Sequence, residues 1–187
     1  MEHLAGQLYK LVGVSTPETE MIDFQGEKAL KSMWLDDPKS MTFSSMKAQP
    51  EVIKNFAIDA WLANWDVVGQ DADNIVMVNN QPFRIDSGGS LMFRAQGGIK
   101  DFGAEVKELK TMLDSATAPQ TSKVFGDMPE ETQKELFSIG ARKLAKITDE
   151  QIDSIVYQVQ SVPGDWNHKK LAQVLKDRRD FIAQAFD

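Results

Sequence analysis

The sequence predicts an α+β fold that is predominantly helical. Three observations carry this. An amphipathic helix pattern at the start is followed by two short strand-like runs. A broad apolar helix pattern then leads through an acidic loop into an Asn-rich hairpin. The remainder reads almost entirely as helix at 3.6-residue spacing.

Each element has its own signal. Over residues 2–12, Leu4, Leu8, Leu11 and Val12 fall on one helical face, Gly13 is the stop and Pro17 prevents continuation. Residues 19–24 and 29–35 read as strands around the turn Gln25-Gly26-Glu27. The Asp-, Ser-, Lys- and Met-rich stretch 36–49 reads as a loop or hinge. Pro50 opens a second helix at the first-turn position that proline tolerates. Val52, Ile53, Phe56, Ala57, Ala60 and Trp61 spread over a wide face of it, as in a centrally buried helix ending near Asn64. Residues 75–78 and 83–85 form a hairpin around Asn79-Asn80-Gln81, because asparagine tolerates the left-handed conformation such a turn needs. Helices follow at about 102–114, 129–146, 149–159 and 167–185. Thr148 and Gln151 form a capping box for the third of these.

Composition narrows the function. The chain has 187 residues, 42 % hydrophobic and 26 % charged, enough for a real core. A net charge of -7 argues against nucleic acid, which needs a basic surface to displace counterions. With no cysteine, disulfides, thiolate metal sites and cysteine nucleophiles are excluded. With His3 and His168 the only histidines, a multi-histidine zinc site is not expected. No apolar run reaches the ~18 residues that span a bilayer, and no basic-then-apolar leader opens the chain. The expected location is cytoplasmic.

The chemistry concentrates between residues 64 and 90. Asn64-Trp65-Asp66 leaves the second helix, Asn74 precedes the hairpin and Asp86-Ser87-Gly88 follows it. Phosphoryl transfer needs a carboxylate to orient the attacking hydroxyl and hard oxygen ligands to hold magnesium against phosphates. Asp66, Asn74 and Asp86 supply those groups, and the glycines after Asp86 let backbone turn sharply beside a phosphate. Taken singly, each of the three is an ordinary turn residue.

The segment "LANWDVVGQDADNIVMVNNQPFRIDSGGSL" resembles the catalytic segment of atypical kinases, namely the HipA toxin kinases, the CotH spore-coat kinases and the phosphoinositide kinase superfamily. The stretches "GSLMFRAQGG" and "DFGAEVKEL" are similar to kinase-like modules of phage head-morphogenesis proteins. The resemblance implies a remnant of an N-lobe over residues 1–40, with an αC-like helix and two strands, and a kinase-like C-lobe over 41–187. It implies an ATP- and Mg-dependent phosphotransferase, or the C-terminal part of one, acting on a hydroxyl acceptor of a protein substrate. Asp66 would be the catalytic aspartate, and Asn74 and Asp86 the metal ligands. Glu2, Met33, Leu35, Ser87 and Gly88 would contact the nucleotide, Glu2 by pairing with an ATP-binding lysine and Met33 and Leu35 by facing adenine. That lysine and the phosphate-covering loop belong on an earlier strand, so a partner chain is expected to supply them if the chain is not a fragment. Asp66 and Asn74 stand eight residues apart where the protein-kinase pattern has about five, which leaves Asp71 and Asp73 open as alternative bases.

Other readings stand beside this one. A non-catalytic phage structural or interaction module on a degenerate kinase scaffold is the alternative; its location would be the host cytoplasm or the virion. AMP transfer on the same fold is a third. Asp101-Phe102-Gly103 spells a kinase triplet but reads as a helix N-cap, the strong preference of aspartate. Arg84 and Arg94 are potential phosphate contacts, or else solvated or carboxylate-paired.

Overall fold

Leu4, Ala5, Leu8 and Tyr9 recur at helical spacing, and all four are buried in helix α1 (Glu2–Leu11). Gly13 ends the helix with φ at +77°, a backbone state that only glycine adopts without a Cβ penalty. The computed structural model describes residues 1–187. The chain is α+β and mainly helical, with two small antiparallel sheets. No helix is long and apolar enough to cross a membrane.

Strands β1 (Thr19–Phe24) and β2 (Glu27–Ser32) pair as a hairpin around Gln25-Gly26, both at positive φ. The second strand therefore starts and ends earlier than the expected 29–35, and Met33-Trp34-Leu35 lies beyond it. No residue of this hairpin is buried. Met21, Phe24, Met33 and Trp34 stand exposed on and beside it, Trp34 at 95 %.

The 36–49 stretch holds more structure than a loop. Strand β3 (Lys39–Ser40) joins the second sheet, and helix α2 (Phe43–Lys47) starts on a Thr42–Ser45 capping box. The second sheet has the order β3-β4-β5, with β4 (Ile75–Val78) and β5 (Gln81–Arg84) turning through Asn79-Asn80, both at positive φ as the sequence requires.

The expected helix over 50–64 is two pieces, α3 (Pro50–Ile53) and α4 (Phe56–Trp61). Asn55 sits at the break and donates its side-chain amide to the Glu51 carbonyl at 3.1 Å, a bond that competes with the helix ladder. Every residue of α4 is buried, and the helix packs on α5 (Glu108–Thr111), α7 (Glu130–Leu144) and α9 (His168–Ala185).

The reading of 102–114 as one helix headed by Asp101 is overturned. Only α5 forms there, and Asp101 is an exposed loop residue facing Lys107 at 3.1 Å. The cause lies on α9. Buried Arg178 takes the Gly103 and Glu105 carbonyls at 2.8 and 3.3 Å, so that backbone turns toward a guanidinium instead of coiling. Helix α6 (Pro119–Phe125) is additional to the expected set. Helices α7, α8 (Asp149–Val156) and α9 stand close to their expected ranges, and the Thr148–Gln151 capping box forms in both directions.

One apolar core runs through α1, α3, α4 and α7–α9. Inside it lies a buried polar knot. The Tyr9 hydroxyl donates to Asp59 at 2.9 Å, Asn64 donates to the Tyr9 oxygen at 2.9 Å, and Arg84 forks onto both Asp59 oxygens at 3.1 and 2.7 Å. Burial pushes the Asp59 carboxyl up, against the opposing pull of Arg84 and Tyr9. Arg84 stays protonated throughout. It is therefore a carboxylate-paired core residue, and the phosphate-contact option for it is closed.

Candidate active site

Two elements deliver the acidic groups. The backbone leaving α4 turns through Ala63, at φ +49°, so that Asn64 points inward to Tyr9 while Asp66 emerges half-buried. On the other side, the Ile85 amide donates to the Asn74 carbonyl at 2.9 Å, one step beyond the Ile75–Arg84 pair. Asn74 and Asp86 thus flank the open end of one hairpin. The Arg84–Asp59 ion pair fastens that hairpin to α4, five residues past whose end Asp66 stands.

The Asn74 amide bridges the two sides. Its Nδ2 donates to the Asp66 backbone carbonyl at 2.7 Å and to the Asp66 carboxylate at 3.3 Å. The longer bond is the weaker, and the amide oxygen has no partner within the protein in this pair of contacts. Burial raises the Asp66 carboxyl, the charge of Asp86 raises it further, the Asn74 bond lowers it and Asp73 adds a smaller rise. Glu2 is raised likewise, first by burial and then by Asp86. Asp86 therefore lies within electrostatic reach of both Asp66 and Glu2. None of Asp66, Asp86 or Glu2 forms an ion pair with a lysine or arginine.

Asp86 occupies φ +53°, uncommon for a residue with a Cβ but tolerated by aspartate. Its carboxylate accepts from the Gly88 amide at 3.4 Å, and the Ser87 hydroxyl donates to the Glu2 carbonyl at 3.4 Å. Glu2, Asp86 and Gly88 line one depression, whose rim at Arg94 and Ala95 is shared with a cleft of about 440 Å³. Asp66 lines that cleft, with Trp65, Lys100 and Thr121. Asp71 and Asp73 are exposed and line neither.

Of the residues expected from sequence, Asp66, Asn74, Asp86, Ser87, Gly88 and Glu2 come together. Met33 and Leu35 do not join them. They line a separate shallow groove with Lys10, Thr16, Trp34 and Phe83, and no residue lines both that groove and the Asp66 cleft.

Lys100 is the residue that sequence reasoning passed over. It is 9 % exposed, and its ammonium donates to the carbonyls of Ala63 and Gly89. It straps the loop carrying Asp66 to the turn that follows Asp86. Burial lowers its pKa from the ordinary 10.5 to about 7; Glu108 opposes this, and Arg178 and Arg94 add to it. Its place after Gly97-Gly98-Ile99 gives no periodicity that would mark it as inward-facing. Thr121 on α6 adds a second tie by donating to the Trp65 carbonyl at 3.0 Å.

The donor set fits a hard divalent cation in type: two carboxylates without a basic partner, and an amide oriented by its own nitrogen. No cluster of three or more His, Asp or Glu side chains is disposed as a complete metal centre, so cation binding here would draw on the amide and on ligand oxygens as well. Comparison of the chain with protein families, with curated proteins and with solved structures finds no match.

Proposed function

We propose that the chain is a phosphotransferase module that moves a phosphoryl group from Mg-ATP to a hydroxyl on a protein acceptor. One observation supports this above the others. Asp66, at a helix exit, lines a cleft, is hydrogen-bonded by Asn74 and lies within electrostatic reach of Asp86, the latter two standing at the two ends of one hairpin. In this reading Asp66 orients the acceptor hydroxyl and takes its proton. A carboxyl raised by burial suits that task, because proton transfer is most efficient when the catalytic pKa approaches the working pH. Asn74 and Asp86 would hold the magnesium, whose role when bound is to neutralise phosphate charge. The Ser87-Gly88 turn offers backbone next to the phosphates, and Glu2 stands beside Asp86 to meet a lysine brought by another segment or chain. Adenine contact by Met33 and Leu35 remains an expectation from the kinase resemblance.

The test is phosphoryl transfer from γ-labelled ATP to protein, with magnesium present and withheld. Asp66→Asn keeps the size and removes the charge, so turnover should fall by ~100- to 10,000-fold, the usual span for a general base. Affinity for Mg-ATP, read by calorimetry, should change far less. A larger loss in Asp71→Asn or Asp73→Asn would reassign the base.

A second reading has its own support. The uncovered β1–β2 hairpin, with Met21, Phe24 and Trp34 in solvent, favours a non-catalytic interaction module on a kinase-like scaffold. Absence of any transfer by the unmutated chain, alone or with a partner supplying a lysine strand, would hand the function to that reading.

A further inference from the structure

The Asp66 cleft has a second wall with the opposite sign. Lys100 lines it, and its two hydrogen-bond acceptors are neutral backbone carbonyls, so its charge has no carboxylate in contact. Arg94 lines the same cleft from the rim and makes no ion pair or side-chain hydrogen bond; its backbone instead closes a tight turn, its amide donating to the Gly98 carbonyl. A buried lysine and an exposed arginine, neither in contact with a carboxylate, therefore face a cleft whose other charged lining residue is Asp66. Elsewhere the buried arginines are charge-paired: Arg84 with Asp59, and Arg178 with Glu108. A buried cation without a counter-charge is costly, and an anionic ligand relieves that cost.

We infer that Lys100 and Arg94 form an anion subsite that receives the terminal phosphoryl group of a polyphosphate chain, next to Asp66. The choice of a phosphoryl group over another anion rests on the phosphotransferase reading above. The subsite itself rests on the geometry of the two cations. Lys100 is placed for two tasks at once. Two of its protons tie the Ala63 and Gly89 carbonyls, and the third is left for the ligand. Arg94 sits on the rim shared with the Asp86 depression, where it can follow the phosphate chain toward the proposed metal ligands. The downward pull of burial on the Lys100 amine agrees with this, since a bound anion would restore its proton.

The experiment is calorimetric titration of the whole chain with sodium tripolyphosphate, and with sodium sulfate as a control, at neutral pH and low salt. The unmutated chain should bind tripolyphosphate more tightly than sulfate. Arg94→Ala changes an exposed, unpaired side chain, so folding should be unaffected and affinity should fall about ten-fold, the scale of one charge-assisted hydrogen bond. Lys100→Met should weaken binding by at least as much. Because that variant also removes a donor from the Ala63 and Gly89 carbonyls and can unfold, the Lys100 Cε resonance of the unmutated chain gives a second readout. Tripolyphosphate should shift it toward the charged form, which a purely structural strap would not show. An unchanged affinity in Arg94→Ala, or a Lys100 resonance that ignores the ligand, overturns the subsite. Equal binding of sulfate and tripolyphosphate overturns the polyphosphate assignment. Tripolyphosphate binding through both residues without any phosphoryl transfer upholds the subsite and removes the kinase reading. Transfer at an unchanged rate in Arg94→Ala does the reverse.

Discussion

Replacing Arg84 by methionine should remove a large share of the stability of this protein. Arg84 is 1 % exposed and Asp59 is completely buried. The substitution deletes two charge-assisted bonds to Asp59 and one to the Val52 carbonyl at 3.0 Å. At ~1.5–3 kcal/mol for each charged bond and ~1 for the third, the gross loss is about 4–7 kcal/mol. Asp59 keeps only the Tyr9 hydroxyl and escapes part of the penalty by taking up a proton, which brings the expected net cost to about 3–5 kcal/mol. Set against the ~5–15 kcal/mol typical of a whole domain, this corresponds to a fall in melting temperature of about 10 °C. Urea unfolding followed by tryptophan fluorescence measures it, Trp61 lying at the end of α4 two residues after Asp59. Asp59→Leu combined with Arg84→Met should cost less than Arg84→Met alone, because the stranded carboxylate is then gone. A loss below about 1 kcal/mol, or a double variant no more stable than the single, would refute the argument that an ion pair locks the hairpin to α4.

Two further outcomes follow from close approach and from burial. A Cβ at Gly140 on α7 would run into the Lys54 carbonyl at the end of α3, and backbone cannot swing aside as a side-chain tip can. Gly140→Ala should therefore destabilise by about 1–3 kcal/mol in thermal melts, although alanine favours helix over glycine. For Lys100 the pKa falls from 10.5 to about 7 on folding. Between those values the unfolded chain holds a proton that the folded protein lacks, so stability rises with pH across that window. Its contribution is fully present above 10.5 and lost as pH falls to about 7, with a slope of up to about 1.4 kcal/mol per pH unit. Denaturant titrations from pH 7 to 10 should show a flatter slope in Lys100→Met than in the unmutated chain.

Elements whose local signals act alone were legible in the sequence. The Asn79-Asn80 turn, the Gly13 stop and the Thr148 capping box depend on residues within a few positions of each other, and each stands where expected. The failures share a long-range cause. Residues 102–107 have a helical apolar pattern, but the Gly103 and Glu105 carbonyls are claimed by Arg178, more than seventy residues away. The break at Asn55 reflects a side chain bonding its own helix, together with α7 passing over Lys54. In the site, the hairpin pattern put Asn74 and Asp86 side by side on paper, whereas Asp66 came from residue order and resemblance, with Asp71 and Asp73 left open beside it. That pattern gave no hint that Lys100 faces inward, since the turn from Arg94 to Gly98 that aims it is closed by backbone bonds. Arg84 was visible as a residue but not as half of a buried pair, since Asp59 lies twenty-five positions earlier on another element.

The Arg178 clasp ties the centre of the chain to its last helix. Its guanidinium caps the end of α4 by taking the Ala60 and Trp61 carbonyls at 2.7 and 2.8 Å, while the Trp61 indole donates to the Leu175 carbonyl at 2.8 Å. The innermost helix of the protein is thus finished by residues made more than a hundred positions later. Without α9 the Trp61 indole lacks its acceptor and the Trp61 carbonyl its Arg178 donor, while the Ala60 carbonyl keeps only the Ala63 amide at 3.0 Å. Closing this core depends on contacts of high sequence separation, whose loop-closure cost must be met before they form. Amide exchange in the finished protein should then find α4 and α9 opening together as one cooperative unit, far apart in sequence and inseparable in stability.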